Sequence, residues 1–324
     1  TDERSLIQNS VISLYADEEG GIWAGTFKRG LSYYNENMFR FYTDHFPEFK
    51  NIMNFIPDIS TLTEDSQQNL YAGAQNGIIK IDQSTGLKEF KSLPEELLRI
   101  PYEVVLCIAH TDNGKRWIGT YQSGLIRQDK SGYKYLPLDP DDKESSANKM
   151  IWTITLDRSG YLWIGTWGAG LWGIDPVTER ITRYSDTPSK FMQENISSIL
   201  VSKDGKLYMT TTYGMLVYNP VTGVFDKQLG SRDGRTQFSN TRLNHIIEDS
   251  RGLLWIASIE GVDIYDRRND ELTKLSGSLS NINIHGITED NNKDMWLTTN
   301  DGLYHVIVRG QEHNYTYDVC KYND

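Results

Sequence analysis

A short pattern of apolar and polar positions recurs seven times along the chain. Each copy has an aromatic residue at its centre, and Leu or a β-branched residue stands nine and twelve residues earlier. Asp stands six residues before the aromatic in five copies, and Thr111 and Ser202 take that place in the other two. The central aromatics, 41 to 48 residues apart, are Trp23, Tyr71, Trp117, Trp163, Tyr208, Trp255 and Trp296.

The residues after each aromatic keep the same register. A Gly opens a further apolar run in every copy, and Asn or Asp follows five residues later except at Ile307 in the seventh copy. A last short run, such as Ile181–Tyr184, completes the unit. Asp-x-x-Gly suits a tight turn, because the carboxylate bonds the local backbone and Gly accepts positive φ. Each copy therefore predicts four strands of about four to six residues.

Seven four-stranded units of 40 to 50 residues predict an all-β fold, a seven-bladed β-propeller of four-stranded antiparallel blades. We expect residues 1–324 to form a single propeller, with a helical turn or two at 46–56 and 94–100. The ring can close in two ways. Either every blade is contiguous in sequence, or residues 1–8 add an outer strand that closes the ring as a latch. The predicted repeats are about 9–45, 57–92, 103–138, 149–185, 194–228, 241–276 and 282–318.

The composition and charge of the chain indicate a folded protein and argue against some classes of partner. The chain has 38% hydrophobic and 11% aromatic residues, enough to bury a sizeable core. Its formal net charge of −11 argues against nucleic acid or an anionic membrane surface as the main partner. No apolar run approaches the roughly 20 residues of a membrane helix, and no signal peptide is present. Because the chain opens at Thr1, we expect it to be a piece of a longer protein.

The repeat resembles a known family. The pattern Val/Ile-x-x-Ile-x-x-Asp-x-x-Gly-x-x-Trp-Ile-Gly-Thr…Gly-Leu-x-x-x-Asp, clearest in 151–175 and 243–266, resembles the two-component regulator propeller repeat. That repeat builds the sensor region of hybrid two-component systems in gut Bacteroidetes. The resemblance covers all seven units. The departures, which do not threaten the fold, are Tyr71 and Tyr208 for Trp, Ala74 for Thr and Lys293 for Gly.

The resemblance implies a sensor of breakdown products of complex glycans. Such sensors are homodimeric inner-membrane proteins with two periplasmic propellers, an immunoglobulin-like domain, one membrane span, and cytoplasmic histidine kinase, receiver and DNA-binding parts. None of that signalling machinery lies in this chain, so we expect this piece to be a non-catalytic periplasmic propeller without direct nucleic acid contact. It would bind an oligosaccharide or help transmit its binding.

Two alternatives stay open. The chain could be a structural or protein-interaction propeller, with the ligand site in the missing domains. It could also be a carbohydrate-active enzyme, a lyase or a sialidase-like protein, which needs convergent carboxylates that the repeat does not explain. The Asp residues recur at turn positions, and we expect the central aromatics to pack between blades. The six histidines show no metal-ligand spacing, so we expect no metal and no cofactor.

Loop variation suggests where a ligand would bind. In units one, three and four the loop between the second and third strands is one residue longer and begins with an aromatic. Aromatic faces stack on sugar C–H surfaces, and Arg and Gln supply hydrogen bonds. The alternative is that these aromatics cap the blade ends or contact a neighbouring propeller. The candidate ligand-binding residues are Phe27, Arg29, Tyr121, Gln122 and Trp167, joined by the residues Arg99, Trp152, Arg242 and His245 at the entry side of first strands.

Overall fold

Seven four-stranded antiparallel sheets make this chain an all-β, seven-bladed β-propeller, as the repeats predicted. The computed structural model describes residues 6, 8–27, 29–35, 38–42, 58–82, 88–184, 195–230, 238–275, 277–311 and 314–322. We number the blades 1 to 7 in chain order. Each blade takes its four strands from one repeat, in sequence order across the sheet, so the blades are contiguous in sequence.

The first four blades contain strands β1 to β16. Blade 1 is β1 Val11–Ala16, β2 Ile22–Thr26, β3 Gly30–Asn35 and β4 Met38–Tyr42. Blade 2 is β5 Thr61–Glu64, β6 Asn69–Ala74, β7 Gly77–Asp82 and β8 Lys88–Ser92. Blade 3 is β9 Val105–His110, β10 Arg116–Thr120, β11 Leu125–Asp129 and β12 Gly132–Leu136. Blade 4 is β13 Ile151–Leu156, β14 Leu162–Thr166, β15 Leu171–Ile174 and β16 Ile181–Tyr184.

The last three blades contain strands β17 to β28. Blade 5 is β17 Ile196–Val201, β18 Leu207–Thr211, β19 Gly214–Asn219 and β20 Val224–Leu229. Blade 6 is β21 Leu243–Glu248, β22 Leu254–Ser258, β23 Gly261–Asp266 and β24 Glu271–Leu275. Blade 7 is β25 Ile284–Glu289, β26 Met295–Thr299, β27 Gly302–Gln311 and β28 Asn314–Tyr322.

Short helical turns lie outside the blades. One 3₁₀ turn covers Glu95–Leu97, inside the stretch 94–100 where the sequence predicted one, and another covers Ser146–Asn148. The other predicted turn, at 46–56, lies outside the described residues. Among the described residues, no helix is long and apolar enough to span a bilayer.

The chain divides into two compact units. Unit 1 comprises residues 1–62, 238–240 and 244–324, and unit 2 comprises residues 63–237 and 241–243. Blades 1 and 7 lie in unit 1, and blades 3, 4 and 5 lie in unit 2. That the repeats form one domain stays a prediction.

In unit 2 the central aromatic of one blade packs on the first strand of the next. Trp117 of blade 3 belongs to an apolar cluster with Ile151 and Ile154 of β13. Trp163 of blade 4 belongs to a second cluster with Ile196 and Ile199 of β17. Both indoles are almost fully buried. The predicted role of these aromatics as packing residues between blades is confirmed, and burial of such large rings dominates core energetics.

Unit 1 repeats the arrangement. Trp255 of blade 6 shares a cluster with Ile284 and Ile287 of β25. Trp296 of blade 7 shares one with Val11 and Leu14 of β1. The same first-strand positions, nine and twelve residues before the aromatic, therefore receive the ring of the preceding blade.

A glycine in the second strand lets neighbouring blades approach closely. A Cβ added at Gly119 would lie 2.4 Å from Cys107 Sγ and 2.7 Å from Ile151 Cγ2. One at Gly165 would lie 2.6 Å from Thr153 Cγ2 and 2.7 Å from Ile196 Cγ2. The Gly in Trp-Ile-Gly-Thr is therefore required by close packing against the first strand of its own blade and of the next blade.

Blade 7 departs from the others at its outer hairpin. The third and fourth strands extend to ten and nine residues and stay paired from Leu303↔Tyr322 to Gln311↔Asn314. Ile307 stands where the other repeats carry a turn-forming Asn or Asp. Because this turn residue is missing, the pairing of β27 with β28 continues over more residues than the pairing of the third and fourth strands in the other blades.

Candidate functional site

The loop between the second and third strands is pinned at its base by the Thr of the Ile-Gly-Thr motif. The hydroxyls of Thr26, Thr120 and Thr166 each donate to the carbonyl four residues later, at 2.8 Å. In blades 5 and 7 the equivalent Thr211 and Thr299 donate to the carbonyl three residues later. The loops of blades 1, 3 and 4 are thus one residue longer, as the sequence indicated.

A buried carboxylate organises the blade 3 loop. Glu103 is fully buried, and its Oε1 accepts hydrogen bonds from the backbone nitrogens of Val104 and Gln122, both at 3.0 Å. Its other oxygen accepts from the hydroxyl of Ser123. The Tyr121 nitrogen donates to the Val104 carbonyl at 3.0 Å. These hydrogen bonds fix the loop, and Tyr121 stays 40% exposed.

The blade 3 loop is joined to the segment that leads into blade 4. The Gly124 nitrogen donates to the Lys149 carbonyl at 2.8 Å, and the Tyr135 hydroxyl donates to the Asn148 carbonyl at 3.3 Å. The buried Asn148 side chain holds this segment by donating to the carbonyls of Asp139 and Asp142. The segment is therefore ordered by hydrogen bonds within unit 2.

Trp152 and Trp167 form an aromatic pair at the same edge of blade 4. Their ring centroids lie 4.6 Å apart with an interplanar angle of 35°, and both side chains are half-buried. The Trp167 nitrogen donates to the Met150 carbonyl at 3.1 Å, which ties the loop to the start of β13. The Trp172 indole donates to the Ala169 carbonyl at 3.0 Å and holds the far side of this loop. The pair is therefore a fixed aromatic surface with part of its area open.

Arg99 lies on the exposed side of the blade 3 loop. Its backbone nitrogen donates to the Ser123 hydroxyl at 2.8 Å, and its guanidinium donates to the Tyr135 hydroxyl at 3.2 Å. Its guanidinium carbon lies 5.8 Å from the centroid of that ring. Arg99, Tyr121 and Gln122 are thus brought together around Ser123 and Glu103. The sixth candidate of unit 2, Arg242, lies directly before blade 6 and is exposed.

The other three candidates lie in unit 1. Phe27 is 41% exposed, and its nitrogen donates to the Ser10 carbonyl at 3.0 Å; Arg29 is also exposed. His245 accepts a hydrogen bond at Nδ1 from the Ile287 nitrogen at 3.3 Å. Burial lowers the pKa of His245 to about 4. The His245 ring is thus engaged with the backbone of blade 7.

The repeated Asp stabilises the predicted turn and also accepts a hydrogen bond from the central aromatic residue. Oδ1 of Asp157 accepts from the nitrogens of Ser159 and Tyr161, and Oδ2 accepts from the Trp163 indole at 3.0 Å. Asp17, Asp249 and Asp290 also bond the indole six residues later, at 2.9 to 3.1 Å. Sequence reasoning found the turn but missed this second bond. The constant six-residue spacing between Asp and the aromatic was the available signal.

Parts of the repeat match a known family model. A family model described as "Two component regulator propeller" matches residues 5–28 and 145–168. These two segments match two-component regulator propeller repeats. A curated relative, histidine kinase P4 of Formosa agariphila, is 28% identical over 293 residues. The match covers 85% of this chain but 20% of that protein, so the chain spans about a fifth of the relative's length.

Solved structures share the fold of these propeller repeats. The extracellular domain of a hybrid two component system from B. thetaiotaomicron superposes with a TM-score of 0.72 at 17% identity, covering 99% of this chain and 47% of that one. Virginiamycin B lyase from Staphylococcus aureus gives a TM-score of 0.71 at 16% identity, covering 92% and 94%. At these identities both likenesses show the fold alone.

Proposed function

We propose that this chain is a non-catalytic propeller from the extracytoplasmic sensor region of a hybrid two-component system. In this role it binds a glycan-derived oligosaccharide or helps transmit its binding. The observation that carries the proposal is the edge of blades 3 and 4, where backbone hydrogen bonds hold Tyr121 and Trp167, Trp152 packs on Trp167, and all three rings stay partly open. Loops on a rigid scaffold are where binding residues concentrate.

The chemistry of this edge suits a sugar. Open aromatic faces offer apolar contact to sugar C–H groups, and the exposed Arg99 and the Gln122 amide offer donors to hydroxyl or carboxylate oxygens. Because the loops are already fixed, little conformational entropy would be lost on binding. The net charge of −11 disfavours nucleic acid as the partner of this surface.

The context of the whole protein supports the sensor assignment. Two segments of the chain match two-component regulator propeller repeats, and the chain matches a fifth of a histidine kinase. We therefore propose that the full protein is a periplasmic-facing, inner-membrane histidine kinase that acts as a homodimer. A second propeller and an immunoglobulin-like domain would adjoin this one in the same protein.

The state of the carboxylates favours a non-catalytic role. Asp157, Asp249 and Asp290 each use one oxygen in the turn and the other on an indole, so both oxygens already accept structural hydrogen bonds. The buried Glu103 accepts three hydrogen bonds from its own loops. A general acid needs a carboxyl group that can reach the substrate, and none of these four faces open solvent with a spare oxygen.

Calorimetric titration with a panel of oligosaccharides tests the proposal. The variants are Trp167→Ala and Tyr121→Ala, and the control is Val221→Ala, an exposed residue in the outer turn of blade 5. We expect a binding sugar to raise the melting temperature of the wild-type chain, because a ligand of the folded form stabilises it. Each aromatic variant should weaken binding about tenfold, and the control should not.

Two results would favour the alternatives. Binding by the intact sensor region but not by this chain would indicate a structural or protein-interaction propeller. Release of new reducing ends or unsaturated sugars from a polysaccharide would indicate a carbohydrate-active enzyme. Unchanged affinity in folded Trp167→Ala and Tyr121→Ala proteins would remove this edge as the site while leaving the sensor role in place.

A further inference from the structure

Three potential metal ligands converge in blade 7. Asp290 and Asp294 lie in the turn between β25 and β26, and pairing of Trp296 with His305 brings the imidazole beside that turn. Nε2 of His305 is 3.7 Å from Oδ2 of Asp290 and 3.6 Å from Oδ2 of Asp294. One ligand atom of each residue lies within 4.8 Å of the other two.

Each of these side chains is oriented by a second contact. Oδ1 of Asp290 accepts from the Asn292 and Asp294 nitrogens, at 2.8 and 2.9 Å. Oδ1 of Asp294 accepts from the Val308 nitrogen at 2.9 Å. The His305 ring stacks on Trp296, with centroids 4.2 Å apart and planes 14° from parallel. Supporting contacts of this kind hold metal ligands in a fixed geometry.

The nitrogen that faces the carboxylates lacks a hydrogen-bond partner. Nε2 of His305 is buried, and its separations from both Asp oxygens are too long for hydrogen bonds. Oδ2 of Asp290 accepts from the Trp296 indole at 2.9 Å and keeps a second lone pair. A cation among the three groups would satisfy the nitrogen and offset the two negative charges.

The two separations between His305 and the Asp oxygens are close to those between the ligands of a small transition metal. Ligands about 2.0 to 2.2 Å from Zn²⁺ in a tetrahedron lie about 3.3 to 3.6 Å from one another. One imidazole with two carboxylates suits Zn²⁺ better than Ca²⁺, which takes oxygen ligands. We infer that Asp290, Asp294 and His305 bind one Zn²⁺ ion, with water as the fourth ligand. The ion would tie the β25–β26 turn to β27, independently of the proposed sugar binding.

Histidine spacing alone did not reveal this group. Two of the three ligands are Asp residues, and one of them occupies the turn position that the repeat already explains. The third ligand lies eleven residues beyond Asp294 and joins the others only through the register of β26 and β27.

Titration of the metal-free protein with ZnCl₂, followed by calorimetry, tests the inference. The chain should carry no histidine tag and be dialysed against EDTA beforehand. We expect one equivalent of Zn²⁺ to bind and to raise the melting temperature. Asp294→Asn and His305→Gln should each weaken binding at least tenfold. The matched control is His285→Gln in β25, whose Nε2 lies 2.8 Å from Asn300 Oδ1, and it should bind as the wild type does.

The opposite results would overturn the inference. In the first, the wild-type protein does not bind Zn²⁺ stoichiometrically. In the second, the two ligand variants and the control bind Zn²⁺ with equal affinity. If a variant fails to fold, as judged by circular dichroism, the visible absorption spectrum of the wild-type protein loaded with Co²⁺ tests the inference instead. Intense visible absorption bands would support a tetrahedral site built from protein ligands, and the weak bands of the hydrated ion would contradict it.

Discussion

At the scale of single residues, the hydrogen bond from indole to Asp explains a pattern that turn geometry alone does not. Four blades satisfy a buried indole nitrogen with the Asp six residues earlier. Blade 2 keeps the bond with Tyr71, whose hydroxyl donates to Asp65 at 2.9 Å. In blade 3 the position holds Thr111, whose hydroxyl bonds Asn113 and the Lys115 carbonyl instead. The Trp117 indole nitrogen is consequently buried without a hydrogen-bond partner.

Restoring the Asp should stabilise the protein. In Thr111→Asp the new carboxylate can accept from the Trp117 indole and from the turn nitrogens, as Asp157 does in blade 4. We expect the free energy of unfolding to rise by about 1 kcal/mol, the usual net value of such a bond. Thermal or urea unfolding measures it.

The reverse change provides the control. Asp157→Ala should lower the free energy of unfolding by about 1 to 3 kcal/mol, because it leaves the buried Trp163 indole without an acceptor. A Thr111→Asp protein no more stable than the wild type, beside a destabilised Asp157→Ala protein, would show that the indole of blade 3 gains nothing from the carboxylate.

At the scale of strands and loops, most positions were predictable from the repeat. The fixed offsets from the aromatic located the four strands of each blade, and the loop lengths indicated which second loops are longer. The extended β27 was not predicted, although Ile307 marked the missing turn. The role of the buried Glu103 was also not predicted, because this residue occurs in one blade only and does not stand at a position that the repeats share. Its role depends on contacts with Gln122 and Ser123 that sequence spacing does not encode.

The second-strand glycine gives a test of packing between blades. Gly165→Ala would place a methyl group 2.6 to 2.7 Å from Thr153 and Ile196, so the strands of blades 4 and 5 must move apart. We expect a loss of about 1 to 3 kcal/mol, typical of overpacking. Chemical denaturation measures the loss.

A second glycine offers a matched comparison. At Gly286 in β25 an added Cβ would lie no closer than 3.2 Å to any atom, the nearest being Thr298 Oγ1. Gly286→Ala should therefore cost less than Gly165→Ala. Equal stability of the two variants would contradict the explanation by close approach of the blades.

At the scale of the whole molecule, seven in-register copies predicted the fold class because each four-stranded unit leaves apolar faces that another unit must cover. The candidate site was less accessible to the same reasoning. Phe27, Arg29 and His245 belong to unit 1 and the other six candidates belong to unit 2, and that the nine residues form one ligand site stays a prediction. Sugar identity depends on side-chain contacts that a repeat pattern does not carry.

Unit 1 joins the beginning of the chain to the last repeat. Leu6 is fully buried in the cluster that contains Trp296 and Leu303 of blade 7, and the Gly302 nitrogen donates to the Asn9 carbonyl at 2.7 Å. The same cluster includes Val11 and Ile22 of blade 1. Residues far apart in sequence thus share one small core, and Leu6, which precedes β1, contributes to it.

Leu6→Ala should therefore destabilise the molecule as a core substitution does. We expect the free energy of unfolding to fall by about 2 to 5 kcal/mol, because the change removes a buried side chain and leaves a cavity beside Trp296. Val221→Ala, which truncates a side chain that is 92% exposed, should change it by less than about 0.5 kcal/mol. Limited proteolysis should also cleave Leu6→Ala faster, since opening of blades 1 and 7 becomes more frequent. Equal unfolding midpoints for the two variants would mean that this segment contributes little to the core in solution.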